Sequence, residues 1–198
     1  MTVGTGVTVR RATISGASAP RRRQAAHRLL RALLAELLGC PVPDLVLERR
    51  VCPGCGGPHG RPRVRHPSTT LEFSLAHSGR EALVAVADGI RVGVDLQVVS
   101  ARRDLDRLAR RILAPSEREQ VATLAAPDQH RAVLGAWART EACLKACGIG
   151  LEVPLADLRT GPPAAGPRPV EVLGHRMTVE NLVTDRAEYV AALACGLQ

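Results

Sequence analysis

The sequence predicts an α+β fold in two lobes, each a small antiparallel sheet packed with a long helix. Three features predict it: a leucine-striped helical segment near the N-terminus, short β-rich runs in both halves, and a second long helical segment between them. In residues 20–39, Leu29, Leu30, Leu33, Leu34, Leu37 and Leu38 fall on one stripe, and Gly39 closes the helix. Arg22, Arg23, Arg28 and Arg31 make its first half basic. A Pro/Gly/Cys-rich loop over 52–67 precedes three β-rich runs at 70–76, 82–87 and 91–98, which together with the helix form one lobe. Their turns are read at His77-Ser78-Gly79-Arg80 and Asp88-Gly89. Beyond Ser100 the pattern turns helical, at 104–113, at 116–124 with Glu119 three residues after Ser116, and at 128–147 up to Gly148. Strands return at 170–173, 177–183 and 189–194, across a Gly/Pro-rich loop at 161–167. The expected division is an N-terminal lobe over 1–99 and a C-terminal lobe over 100–198, with the site between them.

Composition sets the outer limits. The 198 residues are 45% apolar and 23% charged, enough to bury a core and typical of a globular chain. Gly 18 and Pro 14 fall well short of a disordered or collagen-like composition. No stretch reaches the roughly 18 apolar residues of a membrane span, and the N-terminus shows no apolar signal core. The expectation is a cytoplasmic protein whose six cysteines stay reduced. A net charge of +8 points to a polyanionic partner: nucleic acid, a phosphorylated small molecule or an acidic protein. Of the 27 basic residues, 26 are Arg and one is Lys145. Ammonium is a compact donor that can release a proton, and guanidinium is a fixed fork, which makes the lone lysine a candidate for chemistry; coding bias is the competing account.

Three segments carry residues suited to catalysis. In WARTEACLK, Trp137, Glu141 and Lys145 recur every four residues, so carboxylate and ammonium share one face of a helix, while Cys143 and Cys147 face elsewhere. An ordinary surface ion pair has the same spacing. In VGVDLQ, Asp95 interrupts an apolar strand and Gln97 points to the same side; Asp95 suits a magnesium site beside phosphates, or a strand-end cap. In LEFSLAHSG, His77 ends a strand where it can hold a phosphate oxygen or simply occupy a turn.

In order and spacing, these pieces resemble the surfactin-type branch of the 4′-phosphopantetheinyl transferases. The matching elements are Gly60-Arg61-Pro62, Ala76-His77-Ser78, Val92-Gly93-Val94-Asp95, Ala114-Pro115-Ser116-Glu117 and the run from Trp137 to Gly148. The resemblance implies a pseudo-twofold α+β fold. It implies an enzyme that moves the phosphopantetheine arm of coenzyme A onto a serine of an apo acyl or peptidyl carrier protein, leaving adenosine 3′,5′-bisphosphate. Asp95, Glu141 and Gln97 would surround Mg²⁺, Glu141 or a metal-bound water would take the serine proton, and Lys145 would stabilise the leaving phosphate. Arg61, His77 and one or more of Arg22, Arg23 and Arg31 would grip coenzyme A phosphates. The excess positive charge would recruit acidic carriers, of fatty-acid, polyketide or nonribosomal-peptide type, with the enzyme a monomer. Gln97, Thr140 and Ala76 stand where many members have an acid, a lysine and a serine; Ile112 and Leu113 replace aromatics. Glu117 reads as a helix-start acid.

Two other readings follow from the same residues. An Arg-rich nucleic-acid binder would explain the charge, but one Phe, one Trp and one Tyr are few for base stacking. A coenzyme A binder without turnover is the second. In CPGCGGPHG, Cys52, Cys55 and His59 supply three zinc-type ligands, with Cys40 or His66 needed as a fourth; a plain loop with reduced thiols is the favoured reading.

Overall fold

The computed structural model describes residues 2–3, 6–53, 55–99, 104–151, 153–161 and 166–197. The N-terminal part contains β1 (Thr2–Val3), β2 (Val7–Thr13), α1 (Ala19–Leu38), β3 (Val46–Arg49), β4 (Pro62–His66), β5 (Leu71–Ser78), β6 (Glu81–Asp88) and β7 (Val92–Val98). The C-terminal part contains α2 (Leu105–Ile112), α3 (Pro115–Ala122), α4 (Ala126–Cys147), β8 (Arg168–Val172), β9 (His175–Leu182) and β10 (Tyr189–Gly196). Two four-stranded antiparallel sheets form, in the orders β1-β2-β6-β5 and β7-β10-β9-β8, with β3 and β4 as a separate ribbon. The α+β class expected from the sequence is the class observed.

Each long helix forms for the reasons its sequence offers. In α1 the leucine stripe buries Leu30, Leu33 and Leu34 against Phe73, Val84 and Val86 of the first sheet, and Gly39 ends the helix in the left-handed region at φ 61°. In α4, Leu134, Ala138, Ala142 and Cys143 are fully covered, the last three within the second core, and Gly148 ends the helix at φ 77°. A third cluster bridges the sheets, with Val9, Leu83 and Ala85 from one and Val94, Leu96 and Leu193 from the other. Where the sheets meet, β5 and β7 run side by side in the same direction. Val94 N donates to Ser74 Oγ at 3.0 Å and Val98 N to Ser78 Oγ at 3.0 Å, so two hydroxyls satisfy amides that no strand partner reaches.

Several expectations are corrected here. The segment 91–98 does not continue the first sheet after an Asp88-Gly89 hairpin: β7 pairs with β10 along its whole length, from Val92↔Cys195 to Val98↔Tyr189. An alternating apolar run shows that a strand exists but not which edge it joins. Residues 62–66, expected as loop, form β4 against β3, and β2 was not foreseen. The third helix starts at Pro115, and Glu117 rather than Glu119 caps it, accepting from Ala114 N at 2.9 Å. Ser100, and positions 162–165 of the Gly/Pro-rich loop, lie outside the described residues. No helix among the described residues is long and apolar enough to cross a membrane.

Candidate active site

A cleft of about 950 Å³ opens at the meeting of β5, β7, α1, α4 and the β3–β4 ribbon. Its floor is set by an unusually close packing of β7 on α4. A Cβ on Gly93 would lie 1.9 Å from Ala142 O and 2.7 Å from Ala146 N, so only glycine lets the helix backbone rest on the strand. Two residues on, Asp95 projects from β7 toward the helix face that carries Glu141 and Lys145.

The resulting cluster is tight. Lys145 Nζ donates to Asp95 Oδ1 at 2.7 Å and to Val94 O at 3.1 Å, and pairs with Glu141 Oε2 at 3.4 Å. Gln97 Nε2 donates to Asp95 Oδ2 at 2.6 Å, which fixes the carboxylate plane. Asp95 is 3% exposed and Gln97 7%, whereas Glu141 and Lys145 reach into the cleft. Burial, and then the neighbouring charge of Asp95, push the Glu141 carboxyl above its ordinary value; Lys145 opposes the rise. For Lys145, burial works to lower the pKa, but the charges of Asp95 and Glu141 and hydrogen bonds to both outweigh it, and the net shift is upward.

Above this floor the cleft wall is basic. It includes Arg23, His27, Arg49 and His77. Burial first, then the charges of Arg23, Lys145 and Arg22, hold the His77 imidazole below its usual value. Burial, Arg23, His77 and Arg49 do the same to His27. Crowded cations beside these imidazoles form a surface that gains from a polyphosphate, because an anion relieves the repulsion.

The cleft therefore gathers Asp95, Gln97, Glu141, Lys145, His77 and Arg23 from the residues the sequence singled out. Two arginines go elsewhere. Arg31 donates to the carbonyl oxygens of Val42 and Leu45, securing the connection after α1. Arg61 borders the cleft but its guanidinium is committed internally. It donates to Ala146 O at 2.9 Å, Val92 O at 2.8 Å, Lys145 O at 3.2 Å and Phe73 O at 3.3 Å, and pairs through Nε with Glu72 Oε2 at 2.9 Å. Through these contacts Arg61, expected to grip a phosphate, ties β5 and β7 to the C-terminal turn of α4. Arg22 is intermediate, donating to Gly16 O at 3.1 Å while its charge reaches His77.

Two cleft residues escaped the sequence. His27 lies one helical turn after Arg23, a spacing that could have paired them. Arg49 gave no signal, since it faces the cleft only because β3 pairs with β4.

As a donor set, two carboxylates and a side-chain amide fit a hard divalent ion such as Mg²⁺. The Lys145 ammonium between both carboxylates shows that the pocket balances positive charge at that point.

The model of the 4′-phosphopantetheinyl transferase superfamily (ACPS) matches residues 91–194. The match takes in Asp95, Glu141 and Lys145 and leaves out α1 and Gly60-Arg61-Pro62. Among relatives, slr0495 of Synechocystis sp., whose name assigns it provisionally to the 4′-phosphopantetheinyl transferases, is 32% identical over 62% of this chain and 47% of its own length. The 4′-phosphopantetheinyl transferase HetI of Nostoc sp. is 30% identical over 66% of this chain and 53% of its own. The chain thus spans about half the length of these relatives. The holo-[acyl-carrier-protein] synthase of Thermotoga maritima aligns with a TM-score of 0.37 and 22% identity, over 55% of this chain and 64% of that one.

Proposed function

Because the chain belongs to the 4′-phosphopantetheinyl transferase superfamily, we propose that it transfers the 4′-phosphopantetheine arm of coenzyme A to a serine of an apo carrier protein. The observation that carries this reading is the placement of Asp95 and Glu141 around Lys145 at the foot of a basic cleft. Transfer of this kind depends on positioning and on neutralising phosphate charge more than on covalent catalysis. Asp95 and Glu141 would hold Mg²⁺, with the Gln97 amide beside them. When bound, the ion neutralises pyrophosphate charge and draws electron density from the phosphorus under attack.

The chain's own residues do the rest. Arg23, His27 and His77 take the phosphates of coenzyme A along the cleft wall, and Arg49, whose Nη1 donates to the His59 and Gly60 carbonyls, adds its remaining donors. Glu141, which faces the cleft beside Lys145, accepts the proton of the carrier serine. The serine Oγ forms a bond to the phosphorus bearing the pantetheine arm, the bond to the bridging oxygen breaks, and adenosine 3′,5′-bisphosphate leaves. Lys145 stabilises the negative charge that develops on the leaving phosphate. Gln97 keeps Asp95 in its rotamer.

In this reading the enzyme is of the surfactin type, works as a cytoplasmic monomer whose site lies between an N-terminal and a C-terminal lobe, and draws acidic carriers by its +8 charge. Its carriers belong to polyketide or nonribosomal-peptide assembly. The test is intact-mass measurement of an apo carrier incubated with the protein, coenzyme A and Mg²⁺. A gain of one phosphopantetheine on the serine is expected; an unmodified carrier with every carrier class, by a protein that is folded, overturns the proposal.

A further inference from the structure

The tip of the β3–β4 ribbon holds a cluster that phosphopantetheine transfer does not use. Cys52, Cys55 and His59 each offer one ligand atom, and these atoms all lie within 4.8 Å of one another. Cys55 Sγ is 2.8 Å from His59 Nε2. A tetrahedral ion that holds sulfur at about 2.3 Å and nitrogen at about 2.0 Å sets its ligands roughly 3.5–3.8 Å apart, so the three atoms are within reach of one ion once Cys55 Sγ and His59 Nε2 part by about 0.7 Å.

The backbone is shaped to keep them there. Gly56 N donates to Cys52 O at 2.9 Å and Cys52 N to Gly57 O at 2.8 Å, which closes a turn between the two thiols. Below it, Arg50 N donates to Arg61 O at 2.9 Å and Arg49 holds the carbonyls of His59 and Gly60. A Cβ on Gly60 would lie 2.5 Å from Arg50 O, so the two legs of the loop touch.

Energetically the tip lacks what usually orders such a segment. A two-stranded ribbon is marginal in water. Cys52-Pro-Gly-Cys-Gly-Gly-Pro-His-Gly60 contains four glycines, each costly to fix. Cys55 and His59 are exposed, and of the trio only Cys52 is buried. The contrast with the other half of the molecule is chemical. Cys143, Cys147 and Cys195 sit in apolar cores, where burial pushes their thiols up to about 12, 11 and 11, and they act as small apolar side chains. Cys55 and His59, exposed at a glycine-rich tip, have no such packing to provide.

We propose that Cys52, Cys55 and His59 bind one zinc-class divalent ion, as two thiolates and a neutral imidazole, with the fourth position left to solvent. Binding energy at such a site adds directly to folding energy. The ion pins the ribbon tip, and with it the Gly60-Arg61 step from which the Arg61 side chain reaches β5, β7 and α4. Soft ligands separate this site from the oxygen cluster at Asp95 and Glu141, and the inference stands whether or not the transfer activity does.

The test uses the full chain purified under reducing conditions and then offered Zn²⁺ or Co²⁺. One ion per chain is expected to survive gel filtration, and the cobalt form is expected to show thiolate-to-metal charge-transfer absorption. Cys55→Ser and His59→Ala should each cut retention at least tenfold while leaving the circular dichroism spectrum unchanged, and Asp95→Asn should retain the metal. Should either variant fail to fold, zinc-dependent protection of Cys52 and Cys55 from alkylation, mapped by mass spectrometry on the unmodified chain, carries the same test. Stoichiometry below one tenth, binding that survives loss of both Cys55 and His59, or equal alkylation with and without zinc would each overturn the site.

Discussion

Gly93 packs on Ala142 so closely that a Cβ at Gly93 would lie 1.9 Å from the Ala142 carbonyl oxygen. This contact sets the height of α4 over β7 and hence the reach between Asp95 and Lys145, which is 2.7 Å. Gly93→Ala must displace one backbone from the other. Overpacking of this kind costs about 1–3 kcal/mol, or several degrees of thermal midpoint in a chain of this size. A lower midpoint and a larger fall in turnover are expected together. A variant with unchanged melting and unchanged activity would show that the contact does not position the site.

Removing either carboxylate tests the metal assignment. Asp95→Ala or Glu141→Ala should cost at least about 3 kcal/mol of transition-state stabilisation, more than a hundredfold in rate. Steady-state kinetics across a magnesium titration give the measurement, and near-normal turnover in either variant rejects the assignment.

Lys145 has acceptors at 2.7, 3.1 and 3.4 Å around a single nitrogen. A guanidinium fork carries its donors on three separated nitrogens and cannot reproduce that point arrangement. Lys145→Arg is therefore expected to lower kcat while leaving the circular dichroism spectrum intact; full activity in this variant would make the lone lysine an accident of composition.

The two cleft histidines predict a pH dependence with a definite sign. Their pKa values in the ligand-free protein are held below the ordinary imidazole value by burial and nearby cations. Phosphates favour the protonated ring, so each pKa rises on binding and protons are taken up. Affinity for adenosine 3′,5′-bisphosphate should strengthen as pH falls from about 8 to about 6, more weakly in His77→Ala. Calorimetry in buffers of different ionisation enthalpy reads both the affinity and the proton uptake, and a flat profile in the wild-type chain would exclude the histidines from the phosphate wall.

Arg61 separates a scaffolding role from a ligand-binding one. Its side chain is 7% exposed and pairs with Glu72, itself 13% exposed. Breaking a buried pair by removing one partner costs roughly 3–5 kcal/mol. Arg61→Ala should melt well below the wild-type chain, whereas His77→Ala should bind adenosine bisphosphate more weakly at an unchanged midpoint. Wild-type melting with weakened binding in Arg61→Ala would return this residue to the phosphate wall.

How much of this was legible follows from the range of each interaction. The leucine stripe of α1, the Gly39 and Gly148 helix ends, the Glu141–Lys145 spacing and the three C-terminal strands are local patterns, written in 3.6- and 2-residue periods and in turn chemistry. The sequence by itself determined the α+β class, most of the elements and the identity of the acid, base and cation that would be candidates for chemistry. Pairing is not local. That β7 joins β10, that β3 and β4 form a ribbon, and that Arg61 turns inward while Arg49 and His27 face the cleft depend on which surfaces meet across stretches of chain from 13 residues, at Arg49↔Pro62, to 103, at Val92↔Cys195. Only the tertiary structure decided those, because apolar burial is non-directional and leaves register and partner to be chosen by close packing, here by the absence of a Cβ at Gly93 and by two serine hydroxyls at the seam.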